Sequence, residues 1–217
     1  MIKAIFFDFD GVIMDSMALK VQAYCACLSE FNFDPDEIEK IVSEHMGQSR
    51  RRIIVVLYER LKGEKIPPDV FESALKVFND LDDAAREKMT YLPGSREFVE
   101  AVHSGYYTAI VTGTPEDFIL KTTAYHDLDQ YFDTVRGSPD QKPAILAELM
   151  AKNGLIPEEC IFIGDGKTDQ QAADHHGMRF VGMNSSHASF DPASAWKVVT
   201  DLNQLNETLA TLGPRSS

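Results

Sequence analysis

Two carboxylates near the start of the chain, Asp8 and Asp10, are spaced so that both could act in one catalytic site. They follow the short apolar run 4–7 and precede Gly11. The run is β-branched and aromatic, which predicts a buried strand whose carboxyl end would face a ligand in a parallel α/β sheet. Two buried carboxylates are costly unless a cation or a proton compensates them. The pair therefore favours a metal-assisted site with one Asp as nucleophile and its neighbour as acid/base, although Asp before Gly is also common in turns.

A polar turn follows a second predicted strand, 106–111. Thr112 ends that strand and Gly113 comes directly after it. A hydroxyl and exposed backbone N–H groups at the start of a helix can bind an anion, so Thr112 is a candidate ligand for an anionic group. Thr114 is interpreted instead as a helix cap, with Pro115 at the first helical position.

Three further polar residues stand at the starts of predicted helices. Lys142 opens the helix 142–153, where its charge opposes the helix macrodipole, so its position favours another role. Asp165 and Asp169 follow a later strand and could cap a helix, but their oxygens also suit a hard cation such as Mg²⁺. With Thr112 for a phosphoryl oxygen, this set suits phosphoryl transfer through an aspartyl-phosphate.

The composition limits the classes of partner. The 217 residues are 44% hydrophobic and 25% charged, which is ordinary for a soluble globular protein. The net charge of −13 argues against a nucleic acid or an anionic membrane as the main partner. Cys25, Cys27 and Cys160 have neither zinc spacing nor a disulfide framework, which fits the cytoplasm. We expect no signal peptide, no membrane span and a monomer.

The hydrophobic pattern divides the chain into two parts. Helices are predicted at 16–31, 35–45, 49–62 and 68–89. The first strand is predicted at 2–8, before these helices. After residue 92 the pattern alternates, with strands predicted at 106–111, 133–136, 160–164, 179–182 and 197–199 and helices at 94–104, 115–125, 142–153 and 168–176. This order predicts an α/β fold: a Rossmann-like parallel sheet core, 1–14 and 91–211, with an inserted all-helical cap, 15–90. We expect the tail after about Thr211 to be disordered.

Four motifs in this order carry a family resemblance. They are Asp8-Phe9-Asp10-Gly11-Val12, Val111-Thr112-Gly113, Lys142, and Gly164-Asp165-Gly166-Lys167-Thr168-Asp169. Together they resemble the haloacid dehalogenase-like (HAD) superfamily over nearly the whole chain. The helical segment is similar to the C1-type cap of the subfamily that contains phosphoglycolate phosphatases and β-phosphoglucomutases. Gly166 departs from the Ser that relatives commonly carry, and Gly permits the same turn.

The resemblance implies a role for each acidic residue. Asp8 would attack phosphorus and become the aspartyl-phosphate. Asp10 would protonate the leaving group and then activate water, while its backbone carbonyl helps to bind Mg²⁺. Asp165 would be a direct metal ligand, and Asp169 would support the metal shell or hold Lys142. The implied metal-binding set is thus Asp8, Asp10, Asp165 and Asp169.

The resemblance also implies the groups that bind the substrate. Thr112 and the Gly113 N–H would bind the transferring phosphate, and Lys142 would neutralise both the nucleophile and the phosphoryl charge. In the cap, Arg50 ends a stretch, 46–50, that is similar to the β-phosphoglucomutase pattern in which an Arg binds a distal phosphate. Equally, Arg50 could belong to a solvated helix face.

The function that the resemblance implies is a Mg²⁺-dependent phosphatase for a small phosphorylated metabolite. Asp10 supports phosphate esters, because dehalogenases of the superfamily lack this second carboxylate. One alternative is a β-phosphoglucomutase-like sugar phosphomutase on the same scaffold, which Arg50 leaves open. Another is an aspartate-phosphorylated receiver domain, against which the helical insertion and Asp10 both argue.

Overall fold

Strands and helices alternate along most of the chain, with a helical segment inserted after the first strand. The computed structural model describes residues 1–45, 47–185 and 187–212, so the predicted tail beyond 212 lies outside the described residues. The strands are β1 (Ala4–Phe7), β2 (Met14–Asp15), β3 (Thr90–Tyr91), β4 (Tyr107–Pro115), β5 (Thr134–Ser138), β6 (Cys160–Gly164), β7 (Arg179–Met183) and β8 (Lys197–Val199). The helices are α1 (Met17–Cys27), α2 (Pro35–Glu44), α3 (Arg50–Lys62), α4 (Pro68–Ala85), α5 (Ser95–Val102), α6 (Glu116–Tyr125), α7 (Lys142–Asn153), α8 (Lys167–His176) and α9 (Asn206–Leu212). Across the part of the chain that is described, each helix is too short or too polar to cross a membrane.

Six strands form one parallel sheet in the order β5-β4-β1-β6-β7-β8. Phe7, the last residue of β1, is paired with Ile110 of β4 and Ile163 of β6. The carboxyl ends of these three strands therefore meet at one edge of the sheet. This α/β architecture confirms the predicted fold class and brings the residues that follow each strand close together.

Both faces of the sheet are covered. The side chains of β1 show this, because successive residues point to opposite faces. The Phe7 ring lies 6.1 Å from Phe98 and 5.7 Å from Phe132, centroid to centroid. The Phe6 ring lies 6.3 Å from Tyr107 and belongs to the other buried cluster. A strand that is buried on both faces explains why the sequence before Asp8 is continuously apolar.

The helices α1–α4 pack around a third buried cluster of their own. Within it the rings of Tyr24 and Phe78 lie 4.4 Å apart. The predicted helix after Ser49 is confirmed: the Ser49 hydroxyl accepts a hydrogen bond from the Arg52 N–H, and the helix ends at Gly63 with a φ of +79°. The cap thus has a separate core and packs internally like a small domain.

A short antiparallel ladder joins the two parts of the chain. Met14 pairs with Tyr91 and Asp15 with Thr90, so β2 and β3 lie side by side where the chain leaves the core and returns. The sequence did not predict these strands, because two residues carry no periodic pattern. We propose that the cap comprises residues 15–90, as predicted, because this ladder lies at both of those boundaries.

Candidate active site

Asp8 lies directly beyond β1 with its carboxylate fixed in place. Its N–H donates to the Ile163 carbonyl at 2.8 Å, which continues the pairing with β6. Its Oδ1 accepts from the Phe9 N–H at 2.7 Å, and Oδ2 lies 2.8 Å from the Lys142 Nζ. The side chain is 3% exposed. One carboxylate oxygen is thus held by backbone and the other by a cation, as a preorganised nucleophile requires.

Lys142 is the buried cation of the site. It is the first residue of α7, as the sequence predicted, and its ammonium donates to Asp8 and to Asp169. Burial disfavours its charge, but the charges of Asp169 and Asp8 outweigh burial and raise the pKa of Lys142 above its usual range. Lys142 therefore stays charged, and its two bonds offset the desolvation of the ammonium.

Three carboxylates form a cluster around one point. Ligand oxygens of Asp8, Asp165 and Asp169 all lie within 4.8 Å of one another. Both oxygens of Asp165 are buried without a hydrogen-bond partner among the described residues. Burial, and then the charges of Asp8 and Asp169, raise the pKa of Asp165 well above its usual range. Orphaned buried carboxylate oxygens need a cation, so these residues fit Mg²⁺.

Asp169 links this cluster to Lys142. Its Oδ2 accepts from the Gly166 N–H at 2.9 Å, at the start of α8, and its Oδ1 bonds to the Lys142 ammonium. Burial and the charge of Asp8 outweigh these bonds and raise the pKa of Asp169 to about 7. Lys142 alone therefore cannot keep all three carboxylates charged at neutral pH.

A tight turn places Asp10 after Asp8. The Phe9 carbonyl accepts from the N–H groups of Ile13 and Met14 at 2.9 and 3.1 Å. Gly11 has a φ of +75°, and a Cβ there would lie 2.0 Å from Asp165 Oδ2. The turn requires glycine for both reasons, and it packs directly on the Asp165 carboxylate.

The Asp10 carboxylate points away from the three-carboxylate cluster. It accepts from the Ser16 hydroxyl at 2.5 Å, from the Thr114 hydroxyl at 2.7 Å and from the Lys20 ammonium. Burial raises its pKa, but the Lys20 charge and these three bonds outweigh burial and hold the pKa below its usual range. The metal contact predicted for Asp10 would use its backbone carbonyl, and it stays a prediction.

Thr112 and Thr114 both lie in β4, which extends further than predicted. The buried Thr112 Oγ1 accepts from the Thr114 N–H at 3.2 Å. The interpretation of Thr114 as a helix cap is wrong: Pro115 holds that position, and no side chain caps α6. Because the strand continues to Pro115, the Thr114 hydroxyl reaches Asp10 instead.

Lys20 is the functional side chain that sequence reasoning missed. It lies on α1 in the cap, yet it contacts two core residues, Asp10 and Thr114, the latter at 3.0 Å. A signal was present: Lys20 stands three residues after Met17 and four before Tyr24, which are both buried, so it lies on the apolar face of its helix. The contact itself joins positions 94 residues apart in the chain, which no local pattern encodes.

A loop of the cap closes over the strand ends. A Cβ on Gly113 would lie 2.4 Å from the Gly47 carbonyl, so cap and core backbones are in close contact. The cavity beneath holds about 30 Å³ and is lined by Asp8, Asp10 and Thr112 of the core and by cap residues. That volume suits about one water molecule, so a substrate requires the cap to open.

Arg50 lines the same cavity from the cap side. The interpretation as a solvated helix face is wrong for this residue, which is 7% exposed. Its Nη2 lies 2.7 Å from Asp82 Oδ2, and its Nη1 donates to Asn79 Oδ1 at 2.7 Å. The guanidinium lies between the Phe78 and Phe118 rings, at 5.1 and 4.9 Å from their centroids. Its role as a substrate ligand stays a prediction.

Comparison with known proteins identifies the family. The family model described as haloacid dehalogenase-like hydrolase matches residues 5–183. The chain therefore belongs to that family, as the four motifs indicated. Its class of enzyme is a HAD-like phosphoric monoester hydrolase.

Individual relatives agree over nearly the full length. A phosphoglycolate phosphatase of Vibrio vulnificus (strain YJ016) is 29% identical over 203 residues, which is 89% of each chain. A phosphorylated carbohydrates phosphatase of Thermotoga maritima is 27% identical and covers 95% of this chain and 100% of its own. A solved structure described as a predicted phosphoglycolate phosphatase from Haemophilus somnus 129PT has a TM-score of 0.79. It is 21% identical and covers 96% of this chain and 98% of its own, so it supports the fold alone.

The carboxylate cluster predicts how metal and pH act on stability. Asp169 has a pKa of about 7 in the folded chain against 3.8 unperturbed, so metal-free protein loses stability as pH rises through 7. Mg²⁺ at about 100 times its Kd should add about 2.7 kcal/mol, or roughly 5–10 °C in Tm for a chain of this size. At one Mg²⁺ concentration, about 100 times the Kd at pH 8, thermal unfolding with and without Mg²⁺ should show a larger rise at about pH 8 than at about pH 5, where protons compete with the metal. An equal rise at both would contradict the assigned cluster.

The Lys20–Asp10 pair predicts a shift in the pH profile. Removing the ammonium in Lys20→Met removes the charge that lowers the pKa of Asp10, so that pKa should rise. The alkaline limb of kcat/KM, which reports the acid that protonates the leaving group, should then move to higher pH. Lys76→Met, at an exposed position of the cap, is the control and should leave the limb in place. An unmoved limb in Lys20→Met would exclude this coupling.

Proposed function

We propose that the protein is a Mg²⁺-dependent phosphatase that hydrolyses a small phosphorylated metabolite through an aspartyl-phosphate on Asp8. The observation that carries the proposal is the pairing of an oriented carboxylate with a fixed cation. Asp8 Oδ2 lies 2.8 Å from the Lys142 Nζ, beside the orphaned oxygens of Asp165. A nucleophile, a cation for the phosphoryl charge and metal-ligating carboxylates are the parts that phosphoryl transfer needs.

The site residues divide into two groups that bind different things. Mg²⁺ would be held by the carboxylates of Asp8, Asp165 and Asp169 and by the Asp10 carbonyl, and it would neutralise negative charge on the phosphoryl oxygens. The phosphoryl group itself would be bound by a separate set of donors. That set is the Thr112 hydroxyl, the Gly113 N–H and the Lys142 ammonium.

Two proton-coupled displacements complete the reaction. In the first, an Asp8 oxygen bonds to phosphorus, the bond to the ester oxygen breaks, and Asp10 donates a proton to the departing alkoxide. In the second, Asp10 takes a proton from water as the water oxygen attacks phosphorus, and the acyl phosphate bond to Asp8 breaks. Inorganic phosphate and free Asp8 result, and Asp10 is again protonated.

The leaving group would occupy the cap side of the cavity. Arg50 lines that side together with the apolar rings of Tyr24 and Phe78. The Vibrio relative is named for phosphoglycolate and the Thermotoga relative for phosphorylated carbohydrates, and both are small organic phosphates. We therefore propose that the substrate is a phosphate monoester of comparable size, with Arg50 in contact with its leaving group.

A phosphomutase is the less favoured function. It must bind a second phosphate group at the far side of the cavity, and Arg50 is the cap cation that the sequence pattern suggests for this contact. Asp82 lies 2.7 Å from that guanidinium and balances its charge. Hydrolysis needs no second anion site, so the pairing favours a phosphatase.

We propose a cytoplasmic monomer whose partner is its substrate rather than a nucleic acid or a membrane. The cysteines Cys25, Cys27 and Cys160 are free, which suits a reducing compartment. The net charge of −13 repels nucleic acid backbones.

Phosphate release from a panel of metabolite monophosphates tests the proposed function. Asp8→Asn removes the nucleophile, so Mg²⁺-dependent release should fall by at least about 10⁴-fold. Asp129→Asn makes the same change at an exposed position and should keep wild-type rates. Release that is independent of Mg²⁺ and survives in Asp8→Asn would refute the assignment of Asp8.

A further inference from the structure

The cap lines the cavity with two cations, and each of them already has a carboxylate partner. Among the described residues that line the cavity, these cations are Lys20 and Arg50. The Lys20 ammonium bonds to Asp10 of the core, and the Arg50 guanidinium lies 2.7 Å from Asp82 of the cap. While both carboxylates are ionised, the leaving-group side of the cavity is therefore close to electrically neutral, and Arg50 stays paired when Asp10 carries its proton.

The Arg50–Asp82 pair is held in place, so Arg50 can contact a substrate in the cavity only from its present position. Asp82 is 1% exposed, and its burial raises its pKa against the opposing charges of Lys20 and Arg50. The Arg50 guanidinium donates to Asn79 Oδ1 and lies between the rings of Phe78 and Phe118. Moving Arg50 to a new anion would strand Asp82 as a buried, unpaired carboxylate, which is strongly unfavourable.

Most of the remaining cap wall is apolar, and its uncharged polar side chains are Gln48 and Tyr24. Met17, Val42 and Ile53 line it and are buried, and the Tyr24 ring lies against Phe78. A second anionic group on the substrate would lie on this wall without a counter-charge. It would also approach the Asp10 carboxylate, which lines the same cavity, and such a like-charge contact opposes binding.

We propose that the cavity selects phosphate monoesters whose leaving group is compact and carries no second negative charge, with Asp82 as the specificity-determining residue. This inference rests on the proposed phosphatase function. Asp82 acts by neutralising Arg50, so that the guanidinium offers a polar contact without attracting a carboxylate or a second phosphate.

A matched pair of substrates tests the selectivity on the wild-type protein. The pair is 2-phosphoglycolate and 2-phosphoglycolamide, which differ by a carboxylate against a carboxamide of nearly the same shape. With Mg²⁺, kcat/KM for the amide should exceed that for the acid by at least about tenfold. Comparable values, or a preference for the acid, would overturn the inference while leaving the phosphatase intact. Absence of hydrolysis of any ester would overturn the proposed function and the inference together.

Three variants test the role of Asp82 by changing the net charge of the pair. Asp82→Asn leaves Arg50 as an unpaired cation and should lower the amide-to-acid ratio at least about tenfold. Arg50→Gln leaves Asp82 as an unpaired anion and should raise the amide-to-acid ratio of kcat/KM. The double variant restores neutrality without a buried unpaired charge, so it should fold and keep the wild-type ratio.

A surface control completes the series. Asp80→Asn removes the same charge two residues away on the same helix, where the side chain is exposed and paired with Lys76. The amide-to-acid ratio of kcat/KM in Asp80→Asn should equal that of the wild type. If the double variant loses the selectivity, or if Asp80→Asn changes it as much as Asp82→Asn does, then Asp82 does not determine specificity.

Discussion

The burial of carboxylates at the carboxyl ends of β1 and β6 is the constraint on which the rest of the site depends. Carboxylate oxygens of Asp8, Asp165 and Asp169 lie within 4.8 Å of one another in the interior. The single positive charge of Lys142 pairs with two of these carboxylates, Asp8 and Asp169. Such an arrangement is unstable as three free anions, and it persists because protons or a cation offset the repulsion. The chemistry follows from the same fact, since the cation that offsets this repulsion would also neutralise charge on the phosphoryl group of a substrate.

A second ion pair joins the cap to this site. Asp10 belongs to the core and Lys20 to the cap, so their contact exists in the closed arrangement that encloses the 30 Å³ cavity. Closure excludes bulk water from Asp8 and places Asp10, the proposed acid/base residue, under the influence of a cap charge. The ladder of β2 and β3, where the chain passes between the two parts, is the natural place for the movement that admits a substrate.

The sequence could predict those site residues that stand at the end of an apolar strand or at the start of a helix. Asp8, Thr112 and Asp165 each follow a continuous apolar strand, and Lys142 opens a helix against its dipole, so local patterns located all four. Contacts between residues far apart in the chain were not predicted, because they depend on tertiary packing. Lys20 meets Thr114 across 94 positions, and Arg50 at the start of α3 meets Asp82 near the end of α4. The interpretation of Thr114 failed for a related reason: pairing with β5 carries β4 on to Pro115, beyond the end of its apolar run.

The most direct test of the account is to find the phosphoryl group on the protein. Asp10→Asn keeps the nucleophile but lacks the base that activates water, so an aspartyl-phosphate should accumulate when a substrate with a good leaving group, such as p-nitrophenyl phosphate, is added with Mg²⁺. Acid quenching followed by peptide mass analysis should locate one phosphoryl group on Asp8. Turnover without a phosphorylated intermediate, or a phosphoryl group on another residue, would contradict the central role assigned to the Asp8 carboxylate.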